Sequence, residues 1–430
     1  MSNLKPNAAW AALVLVLTPS IAWAQPAQAN GADAAWVLTA SALVLFMTLP
    51  GLALFYGGLV RQKNVLSVMM HCIAIACAAS LLWLALGYSL AFDGAAPLLG
   101  GLGKAFFPAA LRDSVVGAVP EPIFFVFQMT FAIITPALIV GAYVERVHFP
   151  AVLLFSGLWL LAVYAPVAHW IWGGGALAHI GVVDFAGGLV VHATAGASAL
   201  VLAKLVGGRD GFPHELHPPH NPGLTMIGAG MLWVGWYGFN GGSALAANAD
   251  AGMAVLVTHM SACAAGATWS ALEWARFGKP SMIGAVTGVV AGLATITPAS
   301  GFVGAPGALA LGIIGSMICF HAVPLVKHAW RIDDSLDVFA VHGVGGVTGS
   351  ILVAVFMSPS FGGKGYAAGM TMLSQLGVQL LGAVVVLVWS ALVSVVLAYA
   401  VRAAVGLRAR EDHIREGLDL SAHGERAAPD

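Results

Sequence analysis

Between residues 33 and 402 the chain repeats one pattern: roughly twenty largely apolar residues, then a short stretch rich in charged residues, Gly or Pro. The apolar blocks run over 33–60, 65–91, 120–143, 150–170, 184–206, 222–241, 250–275, 281–298, 305–328, 334–357 and 370–402. Each suffices to cross a bilayer as a helix. The pattern therefore predicts an all-α integral membrane protein with eleven transmembrane helices.

Composition agrees with that reading and removes others. Of 430 residues, 59% are hydrophobic and 9% charged, and the mean hydropathy is +0.89. Soluble domains carry about 25% charged residues. A net charge of −1 gives no basis for nucleic-acid binding. The 53 glycines suit helices packed backbone to backbone.

Cytoplasmic loops retain Lys and Arg. With the N-terminus outside, Arg61, Lys63, Arg146, Lys204, Arg209, Arg276, Lys279, Lys327, Arg331, Arg402, Arg408, Arg410, Arg415 and Arg426 fall inside, against Lys104, Arg112 and Lys364 outside. That asymmetry predicts an N-out, C-in topology and requires an odd number of spans. Residues 1–24 combine Lys5, the apolar run Ala11–Leu17 and Ala22-Trp23-Ala24, and read as a cleaved signal peptide of a bacterial inner-membrane protein. The expected organisation is a short periplasmic N-terminus over 25–32, a membrane domain over 33–402 and a cytoplasmic tail over 403–430. Cys72, Cys77, Cys263 and Cys319 lie in apolar blocks without a CxxC and read as small buried hydrophobes.

Three internal matches recur at a constant offset. "AIITPA" (132–137, third block) matches "ATITPA" (294–299, eighth), and "FYGG" (55–58, first) parallels "FNGG" (239–242, sixth). Asp184 precedes His192 by eight residues in the fifth block, as Asp334 precedes His342 in the tenth. An offset of five spans implies a duplicated five-helix unit, spans 1–5 and 6–10, with an extra eleventh helix. Because five is odd, the copies are inverted, as in many transporters. Each histidine would then lie about 12 Å beyond its aspartate along a helix, so both reach the bilayer midplane.

Ionisable groups at that depth are costly and default to function. Two neutral imidazoles can share an N–H···N bond, and two adjacent cations are excluded, so a His192–His342 pair carries at most one proton. It suits a small hydrogen-bonding solute or a proton relay. His71, His259 and His321 lack this symmetry and read as satisfied core residues. Each aspartate lies two turns from its histidine, too far to share one metal ion with it, and no HExxH or Cys/His cluster is present. Asp184 and Asp334 fit either helix capping or an electrostatic role.

Aromatic residues gather on the predicted outer side: Phe127 and Phe131 in the third span, Trp172 before Gly173-Gly174-Gly175, and Trp236 and Phe239 in the sixth. Such residues anchor spans at lipid interfaces. A convergent set would bind a small cation through its ring faces, with Ser243 nearby as a hydrogen-bond acceptor.

The segments "DFAGGLVVH" (184–192), "HWIWGGG" (169–175), "FQMTFAIIT" (127–135), "LWVGWYGFNGGS" (232–243), "KPSMIGAVTGVVAGLATITPA" (279–299) and "DDSLDVFAVHGVGG" (333–346) together resemble the ammonium transporter (Amt/Mep/Rh) family, and most closely its bacterial channels. The resemblance implies a homotrimer with one narrow pore per subunit, carrying ammonium or its analogue methylammonium and using no cofactor. It places Trp172, Phe131 and Ser243 in an outer recruitment site supported by Asp184, and Phe131 with Phe239 in a gate. His192 and His342 become a twin-histidine pair, with Trp236, Thr297 and Phe127 bordering the path.

The tail "GLDLSAHGERA" (417–427) resembles the family's C-terminal regulatory motif, which packs under a neighbouring subunit and assists docking of a PII signal protein. Ala428-Pro429 follow it, where relatives often carry an aromatic residue. "FPHELHPPHNP" (212–222) reads as a solvated loop rather than a metal tract. Two rivals remain: a channel for another small neutral or protonatable solute, and an ammonium sensor, which would ordinarily carry a fused signalling domain longer than this tail. A membrane enzyme is opposed by the missing metal or nucleophile motif.

Overall fold

The structure, a computed structural model, describes residues 28–215 and 217–427. The expected signal peptide lies outside them. Among the described residues, nine helices are long and apolar enough to cross a membrane: Gly31–Leu59, Gln62–Phe92, Glu121–Tyr143, Phe149–His179, Gly188–Val206, Ala249–Phe277, Ala305–Ala329, Phe339–Phe356 and Met372–Val405. Where the sixth and eighth spans are expected, the helices are shorter or less apolar. Pro222–Trp236 continues through a π-turn, Tyr237–Gly241, and Met282–Ile296 spans fifteen residues. Trp, Tyr, Gly and Asn lower the hydropathy of the former, and the "TITP" sequence stops the latter at Thr297, just before Pro298. The nine long spans are thus a coarser result than the expected eleven.

Helix boundaries follow local chemistry. Asn30, Asn221, Asn248 and Ser281 each accept first-turn amides at an N-terminus. A reciprocal Thr371–Ser374 capping box starts the last long helix. That helix runs to Val405, beyond the expected boundary at 402, because a stop first appears at Gly406, with φ 76°. Among the described residues, β-structure is limited to a short antiparallel hairpin, Val115–Val116 against Val119–Pro120, and an isolated bridge between Val147 and Arg408.

The π-turns are paired in sequence order. They occur in the first and sixth helices (Met47–Leu52, Tyr237–Gly241), the fourth and ninth (Leu160–Tyr164, Leu325–Ala329), and the fifth and tenth (Gly188–Ala193, Phe339–Gly343). A further one, Trp83–Gly87, lies in the second. Apolar side chains such as Leu81, Leu373, Val384 and Val396 remain more than half exposed on the outside of the bundle, as a lipid-facing surface requires. Cys72 and Cys319 are buried, whereas Cys77 and Cys263 are exposed on that outer surface, so the buried-hydrophobe reading holds only for the first two.

Candidate functional site

The fifth and tenth helices begin at Gly188 and Phe339, not at the aspartates that precede them. Gly187 at φ 115° turns the chain back so that the Asp184 carboxylate meets the helix end. Its Oδ1 accepts the Gly187 and Gly188 N–H groups at 3.0 and 2.6 Å, and Oδ2 those of Leu189 and Val190 at 2.8 and 3.0 Å. The carboxylate is buried and spent on backbone donors, a strong cap for a helix end inside protein. Asp334 does the same for Val338 and Phe339 at 3.0 and 2.7 Å.

Both histidines lie in π-turns, where His192 N–H bonds back five residues to the Gly187 carbonyl at 2.9 Å. π-Turns redirect side chains and concentrate at functional sites. The two helices touch through glycine: a Cβ on Gly196 would lie 2.3 Å from the Gly343 Cα, and one on Gly346 would lie 2.6 Å from the His192 Cβ. This approach brings the two Nδ1 atoms within 3.3 Å, with ring centroids 5.2 Å apart.

A shared hydrogen between two Nδ1 atoms fixes the tautomers. One ring carries Nδ1–H and leaves Nε2 as an acceptor; the other accepts at Nδ1 and carries Nε2–H. The neutral pair thus shows one donor and one acceptor to whatever passes. His192 Nε2 is buried without a partner. Both rings line an apolar cavity with Phe55, Ile134, Leu138, Leu232, Trp236 and Val290. Its free volume of about 10 Å³ barely holds one water.

Above the histidines, rings form an unbroken column. His192 stacks at 6.0 Å on Phe239, Phe239 lies 4.4 Å from Phe131, and Phe131 meets Trp172 edge-on at 5.7 Å. Phe127 packs on Phe131 at 5.0 Å, and Trp236 on His192 at 5.5 Å. Phe131 and Phe239 are each 1% exposed, so the column is closed at that level. The Trp236 indole donates to Thr297 Oγ1 at 2.9 Å, which fixes its ring. The Trp172 indole donates to the Asp184 backbone carbonyl at 2.8 Å, joining the upper end of the column to the capped helix. Ser243 is half-buried and donates to the Phe239 carbonyl at 2.9 Å.

Below His342 a cavity of about 180 Å³ opens, lined by Tyr56, Arg209, His217, Lys327 and Asp337 among others. His217 therefore lies over this cavity, and His220 binds the Val60 carbonyl at 2.9 Å. Most described residues of 212–222 are exposed, His217 and His220 included, so the segment is a solvated loop with one side-chain tie to Val60. Beside the cavity, Arg209 holds Asp333 through two side-chain bonds of 2.9 Å and its own N–H. Burial alone would raise the Asp333 carboxyl, but Arg209 and Arg146 outweigh it and hold it below the usual carboxylate range. Arg146 is fully buried, and its guanidinium reaches Gly207, Val144, Ala142 and Asp333 carbonyls and Ser335 Oγ.

The tail folds onto its own chain. Asp419 accepts the Leu66 and Ser67 N–H groups at 3.1 and 2.7 Å, capping the second helix, and Leu418 N–H donates to Asn64 Oδ1 at 2.9 Å. His423 meets Phe149 edge-on at 4.9 Å, and the other face of this cluster is His71, buried with neither ring nitrogen partnered. His71 is thus not a satisfied core residue. His259 is held by the Tyr237 hydroxyl at 2.7 Å, and His321 is exposed and bonds the Met317 carbonyl.

Sequence reasoning did not single out Phe55, Ile134, Leu138, Leu232 and Val290 as lining residues. Phe55 was detectable, since the "FYGG"/"FNGG" match makes it the counterpart of Phe239. The others look like any apolar residue of a span.

The sequence pattern of the Ammonium Transporter Family matches residues 35–428. The chain is 42% identical over 421 residues to a protein of Aquifex aeolicus named as an ammonium transporter, covering 96% of this chain and 97% of that one. Among solved structures it is similar to Mep2 of Candida albicans, with 35% identity, 90% and 88% coverage and a TM-score of 0.82. It is also similar to a chain titled Sensor Amt Protein, with 30% identity, 92% and 98% coverage and a TM-score of 0.85. A buried histidine pair beneath a closed aromatic column thus sits in a chain matched along nearly its whole length, and the protein belongs to the Ammonium Transporter Family.

Proposed function

We propose that the protein transports ammonium across a bacterial inner membrane, as an eleven-span subunit of a homotrimer with its N-terminus outside. The paired π-turns support the inverted repeat of spans 1–5 and 6–10. Trp172, Phe131 and Ser243 recruit the cation at the outer mouth, and Phe131 with Phe239 forms the gate below. Asp184 supports the mouth through the helix end and the Trp172 indole rather than by touching the ion, because its carboxylate already serves four amides. The tail over 403–430 is the cytoplasmic element on which a PII-type protein would act.

One observation carries this reading: the narrow, mostly apolar cavity below the gate is lined by two histidines in Nδ1–Nδ1 contact, a pair that exposes one donor and one acceptor when neutral, with His192 Nε2 left without a partner. Moving a bare cation into such a space costs several kcal/mol at least, which potassium cannot avoid. Ammonium avoids it by leaving a proton near the gate. Ammonia then exchanges hydrogen bonds with His192 and His342, past Phe127, Trp236 and Thr297, while the released proton is accepted by the histidine pair, which holds at most one, and moves separately along it.

Purified protein in liposomes, given an ammonium pulse, tests this. Rapid internal alkalinisation or an inward current is expected, with neither on a potassium pulse. Protein that binds ammonium but produces neither signal would instead be a sensor.

A further inference from the structure

Two glutamines stand near the start of the last long helix, Met372–Val405, which has no counterpart in the internal matches of the sequence. Both are buried, Gln379 completely. Gln379 Oε1 accepts the Val183 N–H at 2.8 Å, and its Nε2 donates to the Val183 carbonyl at 2.8 Å. The amide thus grips both backbone groups of one residue, as a neighbouring strand would. Gln379 Nε2 also donates to the Ser350 carbonyl of the tenth helix at 2.7 Å. Gln375 Nε2 donates to Gln379 Oε1 at 3.2 Å and to the Gly181 carbonyl at 2.9 Å.

A side-chain amide offers two N–H donors and an oxygen with two lone pairs, and Gln379 uses all of them. The partners fix its orientation, because a turned-over amide would set NH2 against the Val183 N–H and oxygen against two carbonyls. A buried network satisfied at every atom of its central amide is rigid. Gly382 lets the helix come close enough to form it: a Cβ there would meet the Val182 methyls at 3.0 and 3.2 Å.

The gripped residue leads directly into the capped end of the fifth helix. Val183 precedes Asp184, whose carboxylate serves four amides and whose carbonyl takes the Trp172 indole at 2.8 Å. The same relation recurs at the other pore helix. Asp333 precedes Asp334, and there Arg146 Nη2 donates to the Asp333 carbonyl at 2.6 Å while Arg209 engages its carboxylate. Each capping aspartate therefore follows a residue clamped by side chains from distant parts of the chain. The Asp333 clamp is cationic, and the Val183 clamp is neutral. A fixed positive charge beside an outer mouth would repel an arriving cation, and two amides hold the loop without one.

We propose that Gln375 and Gln379 are positioning residues for the outer mouth. By fixing Gly181 and Val183 against the tenth helix, they hold the Asp184 carbonyl where it aims the Trp172 indole, and so set the affinity with which the cation is recruited. This role rests on reading Trp172 as part of the recruitment site. It gives the helix outside the repeat a task of its own: a neutral clamp on the outer end of the pore.

Methylammonium uptake by the full chain in proteoliposomes, followed against external concentration, tests it. Gln379→Met keeps the length of the side chain and removes its bonds. The half-saturation concentration should rise about five- to thirtyfold, the factor one or two hydrogen bonds are worth, with the maximal rate little changed. Gln375→Met leaves the Val183 bonds in place and should shift the same way by a smaller factor; it carries the test if Gln379→Met does not fold. Ser394→Ala breaks a 2.8 Å bond to Ser198 further along the same helix and should keep the parent half-saturation. In fluorotryptophan-labelled protein, the fluorine resonance that disappears in Trp172→Phe should move in Gln379→Met and stay in place in Ser394→Ala. A raised value in Trp172→Ala with parent values in both glutamine variants overturns the clamp, as does an equal rise in Ser394→Ala. An unchanged value in Trp172→Ala would sink the recruitment reading and the affinity role with it, while the fluorine shift still reports whether the glutamines hold the indole.

Discussion

The Nδ1 atoms of His192 and His342 lie 3.3 Å apart, 150 residues apart in sequence, and the contact exists because Gly196 and Gly346 let the two helices meet backbone to backbone. Removing both rings takes away the paired hydrogen-bonding groups that line the cavity, His192 Nε2 among them without a protein partner. His192→Ala with His342→Ala should reduce methylammonium uptake at least about tenfold, the loss of one or two hydrogen bonds to the passing molecule. Uptake into proteoliposomes at the parent rate, with potassium still excluded, would eliminate the pair's assigned role.

Gly196→Ala should separate those helices, because its Cβ would sit 2.3 Å from backbone that cannot move alone. A loss of about 1–3 kcal/mol is expected from such overpacking, together with impaired uptake. Thermal unfolding followed by tryptophan fluorescence measures the first. A fully stable variant would show that the helices separate freely.

Asp184→Asn keeps one acceptor oxygen and turns an NH2 group toward two backbone N–H groups. Leaving such buried donors unpaired costs about 1–3 kcal/mol each. Both Asp184→Asn and Asp184→Ala should therefore unfold at lower temperature and alter Trp172 emission, since its indole is bonded to the Asp184 carbonyl at 2.8 Å. An Asn variant with parent stability but reduced ammonium affinity would instead assign the carboxylate to the ion.

Asp333 provides a pH-dependent element outside the spans. Its carboxyl is held below the ordinary range by Arg209 and Arg146 against the opposing effect of burial. A carboxyl with a depressed folded pKa stabilises fully above its unfolded value, near 4, and that contribution disappears as pH falls below it. Asp333→Asn should lower the unfolding temperature at pH 7 and narrow its gap to the parent below about pH 4. A gap independent of pH would contradict the assignment.

The tail should detach when Asp419 is replaced, because its carboxylate binds the Leu66 and Ser67 amides. Asp419→Ala loses a cap typically worth about 1 kcal/mol. Amide exchange should accelerate at Leu66, Ser67 and Leu418, with the long spans unaffected. Unchanged exchange at Leu66 and Ser67 would show that the cap does not hold the tail.

Much of this molecule is legible along the chain, because a bilayer demands long apolar helices and leaves polar residues conspicuous. The block pattern located the helices to within a few residues, and the Asp–His repeat singled out His192 and His342 before any contact was known. The "FYGG"/"FNGG" match of the same duplication makes Phe55 the counterpart of Phe239.

Other features depend on approach in three dimensions. Spacing alone left Asp184 equally suited to a cap or a field, and the choice turns on Gly187, whose positive φ aims four amides at one carboxylate. His71 and His169 look alike as membrane histidines. One is buried with no partner, and the other is clasped between two carbonyls from a distant loop. Sequence by itself determined the helices, their class and the pairing of the histidines, because hydrophobic length and repeat offset are properties of the chain. Only the tertiary structure decided the Nδ1–Nδ1 contact, the closed aromatic column and the capping role of Asp184, because hydrogen bonds and ring contacts depend on distances that packing sets.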